Sequence, residues 1–147
     1  MQHKLLHERD GQRTFAVVLE GGDEAMASLQ TFAVSQNIRA AQLTAVGAFE
    51  SADLLYFDWD RKDYLRIPVR EQVEVASLIG DIAQSPSGEP AVHIHVVVGK
   101  RDGGAMAGHL GAGHVRPTLE VILTESPAHL RKVKDPETGL ALIEARA

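Results

Sequence analysis

The chain has no cysteine among its 147 residues, and only one tryptophan, two tyrosines and four phenylalanines. Without thiols there are no disulfides, thiolate metal sites, iron–sulfur clusters or cysteine nucleophiles, so a bound metal must take nitrogen and oxygen ligands. No apolar run approaches the roughly 20 residues needed to cross a bilayer. The opening stretch MQHKLLHERDGQRTF has neither the apolar segment nor the small-residue cleavage site of an export signal. The expectation is no membrane contact and a cytoplasmic location. Positive charge is also scarce: 15 Lys+Arg stand against 20 Asp+Glu, a formal net charge of −5. Affinity for nucleic acid rests on a basic face that neutralises phosphates, and the nearest basic cluster, His129, Arg131, Lys132 and Lys134 in HLRKVK, reads as a solvated edge or turn. A Gly-x-Ser-x-Gly elbow, a phosphate loop and a dinucleotide fingerprint are all missing, which leaves serine-nucleophile, nucleotide-hydrolase and Rossmann chemistry unsupported.

What is present is a globular composition, 44% hydrophobic and 24% charged, in a length that suits one domain over residues 1–147. TFAVVLEGG reads as a strand stopping at Gly21-Gly22. A helix follows, capped by Asp23, with Met26, Leu29, Phe32 and Ala33 at the spacing of a buried stripe. AAQLTAVGAF and ADLLYFDWD read as two short strands parted by Glu50-Ser51, and DYLRIPV as a third. EQVEVASLIGDIA alternates, with Val73, Val75, Ser77 and Ile79 on one side. After the turn QSPSGEP come AVHIHVVVG, the Gly-rich GAMAGHLGAGHV, RPTLEVIL and a final LALIEA. The sum is an α+β fold: seven or eight strands in a largely antiparallel mixed sheet, with one or two helices covering one face.

Two histidines interrupt the apolar run AVHIHVVVG. Strand side chains alternate, so His93 and His95 share a face with Val97 while Ile94, Val96 and Val98 take the other. Four of the seven histidines fall between residues 93 and 114. His109 follows a turn and would return across a hairpin to the His-x-His face, with Gly108 and Gly111 allowing the backbones to come close. Three neutral imidazoles suit zinc first, with nickel, ferrous iron or copper as alternatives, and leave a further position for water or a carboxylate. The competing reading has each ring hydrogen-bonded to a backbone carbonyl or water within a half-buried strand. His114 is assigned to solvent or a neighbouring subunit. Six glycines between residues 99 and 113 point to close approach of a ligand or another chain, or to a surface loop.

The segments VEVASLIGDIA, HIHVVVGKRDGGAMAGHL and VRPTLEVIL resemble, in order and spacing, those of the plants-and-prokaryotes-conserved (PPC) domain, including bacterial members that carry a DNA-binding label. The resemblance spans nearly the whole chain, and its specific part is the His-x-His to Gly-His-Leu combination. It implies a compact α+β domain that forms a homotrimer and binds a divalent transition metal through the residues matching His93, His95 and His109. In plants the domain accompanies an Arg-Gly-Arg-Pro AT-hook, which this sequence lacks. Together with the acidic net charge, that favours a partner protein over this domain as the element touching DNA.

Glu74 and Glu120 lie in stretches that read as buried strands, where a carboxylate needs a partner such as a ligating histidine's second nitrogen, Arg39 or Arg116. Two functions follow. One is a homotrimeric metal-binding PPC-type protein with a regulatory or DNA-associated role. The other is a metal-dependent, hydrolase-like enzyme on an unknown small substrate, with Glu74 or Glu120 as base and no specific reaction indicated. A small-ligand sensor using the same pocket is a third.

Overall fold

The computed structural model describes residues 1–145. Nine strands and one helix follow in the order β1 (Gln2–Arg9), β2 (Gln12–Glu20), α1 (Ala25–Ser35), β3 (Ala40–Asp58), β4 (Asp63–Val69), β5 (Val73–Gln84), β6 (Pro90–Gly99), β7 (Ala105–Glu125), β8 (Arg131–Lys134) and β9 (Ala141–Glu144). The α+β expectation holds, with one helix among the described residues and more strands than the turn signals suggest. β1 is exposed throughout, and its polar sequence carries no periodic signal.

Two long strands organise the sheet. β3 has 19 residues and β7 has 21, although the residue pattern suggests a break in each. Glu50-Ser51 is not a turn; register shifts between Gly47 and Phe49 and between Phe49 and Ser51 bend β3 while it stays paired with β7. Bulges of this kind let one strand turn a corner without ending. The first half of β3 pairs with β5, β5 with β6, β6 with the first half of β7, and that half of β7 with the far half of β3, so the path returns to its starting strand. The Gly-rich stretch is part of β7, and what approaches it is this chain itself. A β-carbon on Gly113 would lie 2.7 Å from the Phe49 ring.

The core within this ring is built from Leu43, Phe49, Leu54, Leu78, Ile82, Ile94, Val96 and Leu110, all nearly solvent-free. Helix α1 adds Ala25, Leu29, Phe32 and Ala33. Its cap is Glu24 rather than Asp23: the Glu24 carboxylate accepts from the Met26 and Ala27 amides and from Gly113 N at 2.9 Å, which ties the helix to β7. Asp23 instead accepts from the Glu20 amide and pairs with the N-terminal ammonium. Gln30 holds the helix to the start of β6, donating to Pro90 O at 2.7 Å and accepting from Val92 N.

β5 departs from simple alternation. A bulge between Val75 and Ser77 shifts its register against β6. Val73, Val75 and Leu78 therefore face the core, while Ile79, grouped with the valines by the sequence pattern, is 58% exposed on the outer face. Past the bulge, Gly80 sits opposite Ile94. A β-carbon there would overlap the His93 carbonyl oxygen and come within 3.3 Å of Ile94 Cα. Gly80→Ala is expected to lower stability by about 1–3 kcal/mol, measured by denaturant unfolding.

Candidate metal centre

The outer face of β5, β6 and the first half of β7 carries the site. His93 and His95 alternate with the buried Ile94 and Val96 on β6, in keeping with the sequence pattern. His95 is the direct cross-strand partner of His109 on β7, and of Ile79 on β5. The three rings form a triangle with centroid separations of 5.2, 5.0 and 5.5 Å. One ligating atom from each ring lies within 4.8 Å of the others. Bonds of about 2.0–2.1 Å to one ion require these atoms to close in, a movement that rotation about the side-chain torsions supplies.

A carboxylate stands behind one of the rings. Asp81 on β5 is in register with His93, and His93 Nδ1 donates to Asp81 Oδ2 at 2.8 Å. An ionised carboxylate only accepts, so this contact fixes the His93 tautomer and leaves its Nε2 lone pair free for a metal. Lys132 on β8 places Nζ 2.9 Å from Asp81 Oδ1, with a side chain only 7% exposed. Burial alone would raise the Asp81 carboxyl, but Lys132 and His93 outweigh it and hold it below the usual carboxylate range.

The donor set fits a metal on two counts. His109 Nδ1 is buried with no hydrogen-bond partner among the described residues, an arrangement that costs free energy unless an ion or water uses the lone pair. Two of the rings, His95 and His109, are also disfavoured from taking a proton, as ligation requires. Burial, then the neighbouring His93, His95 and Lys132, pushes His109 down to about 4. Burial and His93 also lower His95, partly offset by Asp81. A divalent ion held by His93, His95 and His109 would supply a Lewis-acidic position open to water or an anionic group.

The depressed His109 value has a measurable consequence in the metal-free protein. The unfolded ring takes its proton near the ordinary 6.5 and the folded ring only near 4, so between these values the unfolded state binds more protons. Stability should therefore fall as pH drops through that window, by at most about 3 kcal/mol from this ring. Urea unfolding across the range checks it, and His109→Leu should flatten the slope.

The remaining candidates from the sequence fall elsewhere. Glu74 and Glu120 are exposed; Glu74 is in register with Gly99, and Glu120 with Val18 and Val46. Neither candidate arginine reaches them: Arg39 donates to Asn37, and Arg116 lies 3.7 Å from Glu50. The carboxylate role belongs to Asp81. His114 is exposed and bridges to Glu24 through the backbone. The HLRKVK cluster is not wholly solvated, because Lys132 is buried against the site while Arg131 and Lys134 remain exposed.

Over the histidines lies a cleft of about 760 Å³. Trp59, Phe57, Tyr64 and His109 form a chain of ring contacts down one wall, with centroid separations of 5.8, 5.3 and 5.3 Å. Leu140 and Leu142, on and beside β9, line it as well.

Known structures share this architecture. A plant- and prokaryote-conserved (PPC) protein from Pyrococcus horikoshii is 28% identical with a TM-score of 0.84, the match covering 99% of this chain and 96% of that one. A metal-containing protein from Archaeoglobus fulgidus is 29% identical with a TM-score of 0.83, covering 98% and 99%. A protein from Ralstonia eutropha JMP134 whose name proposes DNA binding is 27% identical with a TM-score of 0.83, covering 90% and 91%. Among curated sequences, the bifunctional protein GlmU of Synechococcus sp. (strain JA-3-3Ab) is 32% identical over 130 residues, 86% of this chain and 20% of that protein. The chain thus spans about a fifth of that relative's length. The family profile of the Plants and Prokaryotes Conserved (PCC) domain matches residues 6–127, and the chain belongs to that family.

Proposed function

We propose that this chain is a homotrimeric, cytoplasmic metal-binding domain with a regulatory or scaffolding role, holding zinc through His93, His95 and His109. The observation that carries this reading is the convergence of three imidazoles on one sheet face, one of them oriented by Asp81. The metal-containing relative from Archaeoglobus fulgidus supports it. Self-association is supported by Val46, Ile79 and Ile122, each about half exposed on an outer sheet face that no helix covers.

DNA association is assigned to a partner protein rather than to this surface. Arg66 and Arg70 share Asp53, Lys100 engages Glu71, and Arg13 engages Glu125, so three of these four positive charges are balanced within the chain. Metal analysis and light scattering on the purified protein test the reading, with one zinc per chain and a trimer expected. A metal-free protein that fails to take up zinc contradicts it. Gel shifts on AT-rich duplex at low salt should show no binding by the isolated chain, whereas a salt-sensitive shift would reassign DNA contact to it. The cleft over the histidines favours one second reading, a metal-dependent hydrolase. With Glu74 and Glu120 facing away and Asp81 held by His93 and Lys132, a metal-activated water there would have no free carboxylate base among the described residues.

A further inference from the structure

Building on the metal-centre reading, we propose that the cleft over the three histidines binds a small aryl carboxylate, its charged end toward the histidine floor and Lys132 and its ring on the aromatic wall. The cleft's volume of about 760 Å³ lies within the range of about 300–1,000 Å³ typical of small-molecule sites. His93, His95 and His109 converge within it, Lys132 is joined to them through Asp81, and the rest of the lining is mostly apolar and aromatic. That division suits a ligand with one polar head and an apolar body.

The sign of the head follows from charge. A divalent ion and the Lys132 ammonium would outnumber the single Asp81 carboxylate, so the floor would be positive and partly desolvated. An anion is matched there and a cation is repelled. The shape of the body follows from the wall. Trp59 and Tyr64 each contact Phe57 edge to face, and with one Trp59 face under Lys62 Nζ at 4.6 Å, the ring surface left for a flat ligand is that of Tyr64 and the other face of Trp59. Leu140 and Leu142 add apolar surface to the same cleft.

Calorimetry with 2-naphthoate and its uncharged isostere 2-naphthamide, on zinc-loaded full-length protein whose zinc content is measured in the same sample, tests this. The acid should bind at least about tenfold more tightly than the amide, equivalent to about 1.4 kcal/mol, and far more weakly to the metal-free protein. Trp59→Ala, at a position 60% exposed, should weaken 2-naphthoate binding several-fold with zinc content unchanged. Equal affinity for acid and amide, no binding of either to fully loaded protein, or indifference to Trp59→Ala overturns the ligand proposal and leaves the metal centre standing. Failure to load zinc removes both.

Discussion

Zinc affinity should drop on the order of a thousandfold when His109 is replaced by alanine, while the metal-free variant stays folded. Four-ligand structural zinc sites bind with about 10–16 kcal/mol. One imidazole of such a set therefore accounts for about 3–4 kcal/mol, or two to three decades of affinity. The folded chain itself depends little on this ring. It is held off the core on the outer face, touches Tyr64 at a centroid distance of 5.3 Å, and carries a buried nitrogen with no partner among the described residues. Removing an unsatisfied polar group offsets most of the packing lost, so His109→Ala should cost less than about 1 kcal/mol at neutral pH. Competition with a chromophoric chelator gives the affinity, and urea unfolding of the metal-free protein gives the stability. A large stability loss with unchanged zinc affinity would make the ring structural rather than a ligand.

Asp81→Asn should damage both properties, for separable reasons. The substitution keeps the shape of the side chain but removes the charge that orients His93 and balances Lys132. Loss of a partner behind a ligating histidine costs about 10–100-fold in metal affinity. Lys132, only 7% exposed, would then be a buried ammonium without its counter-ion. Breaking a fully buried pair costs about 3–5 kcal/mol. The Asp81 side chain keeps 28% of its exposure, so about 2–3 kcal/mol is expected here. Adding Lys132→Met to Asp81→Asn should recover the stability and leave the zinc affinity low. If the double variant regained its affinity as well, Asp81 would be acting only through Lys132 and not through His93.

The three candidate ligands are legible in the sequence because their geometry is local. His-x-His on a strand fixes two rings on one face, and the Gly-rich return fixes a third within one hairpin. Asp81 and Lys132 are not legible, for a physical reason that differs between them. Asp81 meets His93 through the β5–β6 register, and a bulge at residues 75–77 breaks the alternation from which its face would be read. Lys132 belongs to a short hairpin hung on β5 by the single pair Gln84–Arg131, and nothing in HLRKVK says which of its cations turns inward. Glu74 and Glu120 mislead because each is flanked by buried apolar neighbours while pointing to the opposite face. The two long strands are hidden for a related reason. Polar or glycine-rich stretches that look like breaks continue as strand wherever a bulge, or contact with Phe49 or Leu55, accommodates them.

The most direct test is X-ray absorption at the zinc edge on protein dialysed against one equivalent of zinc. One ion per chain, with three imidazole nitrogens at about 2.0–2.1 Å and one oxygen donor, is the predicted result. Zinc lost on dialysis, or retained in an all-oxygen shell without imidazole scattering, would contradict it.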